Sequence, residues 1–164
     1  MRQYTTAVGA LLERCPAATI VLRPYPSEGS ESVAALAAHF PGATFETDRG
    51  SSIVELHARC DLCIGAIMTA TLQAALAGTP VFALNLMGFE WAWPLGGDTT
   101  VPVARSRAEL ETWLAHWASG SAMPGREDLL TALGAGDGHD PLARMLVNLD
   151  APSGATAPRP GSSG

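Results

Sequence analysis

The chain has only three cysteines in 164 residues. That count is small and odd, so a disulfide framework is not its source of stability. Cys60 and Cys63 have C-x-x-C spacing, but no second pair completes a zinc site. They read as small buried hydrophobes. Positive charge is also in short supply: the formal net charge is −6. That argues against nucleic acid as a partner. No apolar run approaches the ~18 residues that span a bilayer, so no transmembrane segment is expected. Met1-Arg2-Gln3-Tyr4 lacks the apolar core of a signal peptide, which makes cytoplasmic location the expectation. His39, His57, His116 and His139 have no partner at metal-ligand or catalytic spacing. They read as surface residues, and no metal is expected. No general base stands out either, since Asp48, Glu46 and Glu90 read as unpaired loop carboxylates. There is no internal repeat.

What is present is globular. Hydrophobic residues make up 47% of the chain, enough for one domain with a real core. The most informative stretch runs from Asp61 to Leu84. Asp61 to Ile64 is a short apolar run, as in a strand buried on both faces. Gly65 permits a sharp exit. Thr69 or Thr71 can cap a helix whose apolar face is Met68, Leu72, Ala75 and Leu76. Gly78 suits the left-handed position after a helix, and Pro80 forbids its continuation. Val81 to Leu84 reads as a second buried strand.

Elements of the same kind precede and follow this unit. A first helix spans 3–14, with Val8, Leu11, Leu12 and Cys15 inward, and Pro16 ends it. Strands follow at 19–22 and 44–46, separated by a helix from Ser30 to Phe40 that Pro41-Gly42 breaks. Ser52 and Glu55 form a capping box for a helix burying Ile53 and Leu56. Residues 85–100 form a long loop with Phe89, Trp91 and Trp93, either an apolar lid or a ring-stacking surface. A strand at 101–103 precedes a second capping box, Ser106 with Glu109, and a helix burying Leu110, Trp113, Leu114 and Trp117. Weaker helices are expected at 126–133 and from Pro141 to Leu149, and residues 151–164 read as a disordered tail.

The fold class is therefore α/β, a Rossmann-like parallel sheet with flanking helices. Such a sheet ordinarily has a central strand ahead of the first helix. The residues before Arg2 do not supply one, so the expectation is a fragment, with its sheet either closed over the gap or left open. The expected division is a partial Rossmann-like domain at 1–120, a helical extension at 121–150 and a tail at 151–164.

Asp61, Ile64, Gly65, Thr69, Ala70, Gly78, Pro80 and Val81 form a pattern that resembles the C-terminal, nucleotide-sugar-binding domain of GT-B glycosyltransferases. The likeness is to the surface and capsular polysaccharide type. Arg23-Pro24-Tyr25-Pro26 resembles that family's Arg-Pro-His-Pro turn. The resemblance covers roughly the first two-thirds of the chain. It implies transfer of a sugar from a nucleotide-sugar to a glycan acceptor, with no cofactor besides the nucleotide-sugar substrate and no metal. It also implies an N-terminal domain or partner chain that supplies the acceptor side. Tyr25 stands where the family usually has histidine, and Gln73 where many members carry a helix glutamate. Those departures support an alternative, a catalytically degenerate or truncated domain that binds a partner protein. A CDP-glycerol-type phosphotransferase fragment is a further alternative.

Each candidate site residue has two readings. Thr69 and Thr71, with the backbone of Met68 to Ala70, can bind a diphosphate at a helix start or simply cap that helix. Arg23 and Tyr25 leave a strand's carboxyl end and can clamp phosphate, or can be an exposed arginine and a tyrosine packed on prolines. Ser51 and Ser52 can approach a nucleotide base, though capping alone accounts for Ser52. Asn85 can touch a ribose or make a turn.

Overall fold

The structure is a computed structural model that describes residues 2–25, 27–66, 69–88, 101–124 and 126–132. It is a small Rossmann-like α/β domain with parallel strands and flanking helices. The order is α1 (Arg2–Arg14), β1 (Thr19–Leu22), α2 (Ser30–Ala37), β2 (Thr44–Thr47) and α3 (Ile53–Ala58). Then come β3 (Cys63–Ala66), α4 (Thr69–Leu76), β4 (Val81–Leu84), β5 (Val103–Ala104), α5 (Arg107–Ala118) and α6 (Arg126–Ala132). The expected helix at 141–149, the tail and most of the 85–100 loop lie outside the described residues.

Local chemistry accounts for several boundaries. Ser52 caps α3, and its hydroxyl and the Glu55 carboxylate satisfy each other's backbone N–H groups. Gly78 adopts φ +85° after α4. Its N–H donates to the Ala75 carbonyl at 3.0 Å, and the Thr79 N–H reaches back to Ala74 at 3.1 Å. That pair of bonds is the Schellman closure that a glycine at this place permits. Ser106 accepts from the Glu109 N–H at 3.1 Å, but the Glu109 carboxylate accepts from the Arg105 N–H at 2.8 Å. The second capping box is thus half formed, with the chain one residue earlier taking the carboxylate.

β3 starts two residues later than the apolar run suggests. The Cys63 N–H donates to the Pro80 carbonyl at 2.9 Å, and the register runs Cys63 with Val81 through Ala66 with Leu84. Gly65 is therefore inside the strand. A Cβ there would stand 2.9 Å from the Thr71 hydroxyl oxygen, so glycine lets the start of α4 fold close over β3. α2 is also shorter than expected and begins after Gly29, without a side-chain cap.

The strands form two sheets, β1-β2 and β3-β4-β5, each parallel throughout. Among the described residues, no ladder joins β1 to β3. One core cluster lies under α4 and α6 and contains Leu72, Ala75, Val81, Val103 and Leu129. A second lies under α1 and α5 and contains Ala7, Phe82, Leu84, Leu110 and Leu114. A third joins α1 and α2 over the smaller sheet through Val8, Ile20 and Leu36. Tyr4 and Leu11 of α1 pack against both the second and third clusters. Leu129 is fully buried, so α6 belongs to the core. Among the described residues, no helix is long and apolar enough to cross a membrane.

Candidate functional site

Parallel strands send their following turns to one edge, and helix N-termini point at the same edge. In this chain the turns after β1, β2 and β3 carry the residues singled out from the sequence. Arg23 directly follows β1. Its Nη1 donates to the Ser51 carbonyl at 2.7 Å, which fastens the first turn to the second. The Arg23 side chain remains about one-third exposed (32%). Tyr25 is exposed, and its backbone N–H donates to the Glu28 carboxylate at 2.9 Å. Arg49 Nη2 adds a bond to the Glu28 carbonyl at 3.1 Å.

The centre of this rim is a residue that its sequence context left unmarked. Asp48 is buried, and it is not the unpaired loop carboxylate expected. Its Oδ1 accepts from the Gly50 and Ser51 N–H groups at 3.1 and 3.0 Å. Its Oδ2 accepts from Arg59 Nη2 at 2.9 Å, and Arg23 Nη1 stands 3.6 Å from Oδ1. The Ser51 side chain, then the backbone N–H groups and Arg59, hold its pKa down at about 2. Glu46 also has a partner, with Arg59 at 3.8 Å. An aspartate just after a strand, with Gly and Ser two and three residues on, is the signal that could have found this collar, because it favours an Asx turn. The arginine eleven residues away has no such local signature.

His57 is the second departure. It was expected at the surface, yet it is 6% exposed, and neither ring nitrogen has a hydrogen-bond partner. Burial, and then the Arg23 charge, lower its pKa. The ring is therefore neutral at pH 7 and unsuited to holding phosphate charge.

At the third turn the sequence-derived residues separate. Thr71 is buried, and its hydroxyl donates back to the Ala66 carbonyl. It braces α4 against β3. Ala70 is exposed in the first turn of α4, which Thr69 begins. Met68 lies outside the described residues. Ser52 is the α3 cap already described. Asn85 follows β4, and its N–H donates to the Ala104 carbonyl at 2.9 Å, which places it beside β5. Cys60 and Cys63 are free thiols. Burial pushes the Cys63 thiol up to about 12, so it is a packed apolar group.

Tyr4 links the third turn to the first. Burial raises the pKa of its hydroxyl, and the Ala66 backbone N–H at the end of β3 acts the other way. The Tyr25 and Glu28 side chains are close enough to be felt there too. Tyr4 thus stands at the carboxyl end of β3, within electrostatic range of the turn after β1. What results is a braced rim with the partly exposed guanidinium of Arg23, an exposed tyrosine and the N-terminus of an eight-residue helix. Such a rim is chemically suited to an anion. Compared with family models, curated proteins and solved structures, the chain has no match.

Proposed function

We propose that this domain binds a nucleotide-sugar at the carboxyl edge of its strands, as the donor half of a GT-B-type glycosyltransferase of surface polysaccharide synthesis. The acceptor is a glycan, presented by an N-terminal domain or partner chain. The observation that carries this reading is the bond from the partly exposed Arg23 guanidinium to the Ser51 carbonyl at 2.7 Å, which brings the Arg23–Tyr25 turn and the Ser51–Ser52 turn together at the carboxyl ends of β1 and β2. A diphosphate there meets a guanidinium and a helix N-terminus, the two features that favour phosphate charge. The likeness of Asp61–Val81 and of Arg23–Pro26 to that family supplies the sugar-transfer chemistry.

The test is a thermal-shift panel of UDP, CDP, GDP, a CMP-sugar and UDP-sugars. One class raises the midpoint by mass action. Arg23→Ala and Thr69→Val then weaken that ligand at least ~tenfold, the loss expected for one charge-assisted hydrogen bond. Flat midpoints across the panel, or unchanged affinity in both variants, remove the proposal. A second reading, a domain that binds a partner protein and transfers nothing, is supported by the engagement of Arg23 with Ser51 and of Thr71 with Ala66. It predicts flat midpoints.

A further inference from the structure

Among the described residues, the large apolar side chains left exposed are Tyr25, Val54 and Met87. All three follow the carboxyl end of a strand. Tyr25 comes after β1, Val54 lies in the first turn of α3 after β2, and Met87 comes after β4. Exposed apolar surface is thus found on the edge where Arg23 stands.

The turn that carries Tyr25 is locked. The Tyr25 N–H donates to the Glu28 carboxylate, and the Tyr25 carbonyl accepts from the Glu28 N–H, each at 2.9 Å. Arg49 Nη2 then donates to the Glu28 carbonyl at 3.1 Å, which ties this turn to the one after β2. Arg23 makes the reverse tie, to the Ser51 carbonyl at 2.7 Å. A lone surface tyrosine needs no function. Tyr25 is 48% exposed on a backbone fixed at both its N–H and its C=O. Much of the freedom that ligand binding would remove is already gone.

The neighbouring Arg23 is available to an anion. Gly50, Ser51 and Arg59 already satisfy the Asp48 carboxylate, and Arg23 stands 3.6 Å from it, beyond hydrogen-bond reach. Arg23 can therefore turn to a ligand without leaving a buried charge unpaired. Pro24 follows Arg23 and Pro26 follows Tyr25, which favours extended backbone at both residues. Residues two apart on such backbone share a side and stand at most ~7 Å apart. A guanidinium and an aromatic ring at that spacing suit a ligand with a phosphate at one end and a flat ring at the other.

We propose that Tyr25 is the platform on which the nucleobase of the donor stacks, with Arg23 on its phosphate and with Glu28 and Arg49 as positioning residues for the tyrosine. This rests on the nucleotide-binding reading above and adds to it the residue that holds the base. Stacking accepts any base, because every base has a π-face. Tyr25 therefore supplies affinity for nucleotide over bare phosphate rather than choice among bases.

The test is calorimetry of the full chain with UDP, CDP, GDP and pyrophosphate. Tyr25→Ala is expected to weaken the nucleotides by ~10-fold or more and pyrophosphate by less than ~twofold, with Tyr25→Phe close to wild type. Glu28→Ala and Arg49→Ala give a smaller loss of the same kind, about threefold, and Glu28→Gln, whose amide oxygen still accepts from the Tyr25 N–H, restores affinity. Tyr25→Ala that weakens pyrophosphate as much as nucleotide, or that weakens neither, overturns the platform. Unchanged nucleotide affinity in Glu28→Ala and Arg49→Ala overturns the positioning roles. A wild-type chain that binds pyrophosphate and nucleotides equally keeps the anion site and overturns the platform alone. A chain that binds none of the four overturns the donor reading and this proposal with it.

Discussion

β4 and β1 are both four-residue strands of almost wholly apolar sequence, Val-Phe-Ala-Leu and Thr-Ile-Val-Leu. All four residues of β4 are buried, but only Ile20 of β1 is. The difference lies in their neighbours. Among the described residues, β4 sits between β3 and β5, whereas β1 pairs with β2 alone. Hydrophobic sequence sets which strands seek the interior. The number of neighbours sets how far they get there. The three-strand half should accordingly hold the greater share of stability.

The sharpest way to break that comparison is a matched pair of phenylalanines. Phe82 in β4 is fully buried, while Phe45 in β2 is half-buried beside Phe40. Phe82→Ala should cost about 3–5 kcal/mol in urea denaturation. Phe45→Ala should cost about 1–2 kcal/mol. Equal losses would show that both halves are packed alike.

A pair of glycines comes next. Gly65→Ala places a methyl 2.9 Å from the Thr71 hydroxyl oxygen and should cost about 1–3 kcal/mol. Gly50, in the turn after β2, has nothing within 4 Å of a new Cβ, so Gly50→Ala should stay within about 0.5 kcal/mol. In a double-mutant cycle, Thr71→Ala should recover part of the Gly65→Ala loss. Strict additivity would mean the hydroxyl is not the obstruction.

A weakness of another kind lies in His57 of α3, whose carbonyl accepts from the Thr79 hydroxyl at 3.1 Å. Its pKa is lowered in the fold, so the unfolded chain binds more protons below its ordinary value of 6.5. Stability is therefore complete above pH 6.5 and falls as pH drops through that value toward the folded pKa. His57→Leu removes this dependence and should stabilise the protein at pH 5.5 by about 1 kcal/mol. Thermal midpoints at pH 7.5 and 5.5 measure it. An unchanged difference between the two would assign the acid sensitivity elsewhere.

The smallest effect is expected at Arg107, which joins Glu13 of α1 to Glu111 of α5 at 2.8 and 2.6 Å on the exposed surface. Arg107→Ala should barely move the midpoint, and any shift should disappear in 1 M salt. A large salt-independent loss would show that the arginine stem, not its charge, packs the two helices.

The sequence by itself determined the order of elements, the Ser52 capping box and the stop at Gly78, because caps and left-handed turns are settled within a few residues. It also put Arg23 and Thr69 after apolar strand runs, and Ser51 in the turn after a strand. Only the tertiary structure decided what those residues do. Cys63 took its register from Pro80, and Asp48 found Arg59 and Arg23 through space. His57 was buried although its helix is only six residues long, and Thr71 turned its hydroxyl inward to Ala66. The division into two sheets is of the same kind. Backbone hydrogen bonds between strands join residues far apart in the chain, and no local pattern states which partner is present.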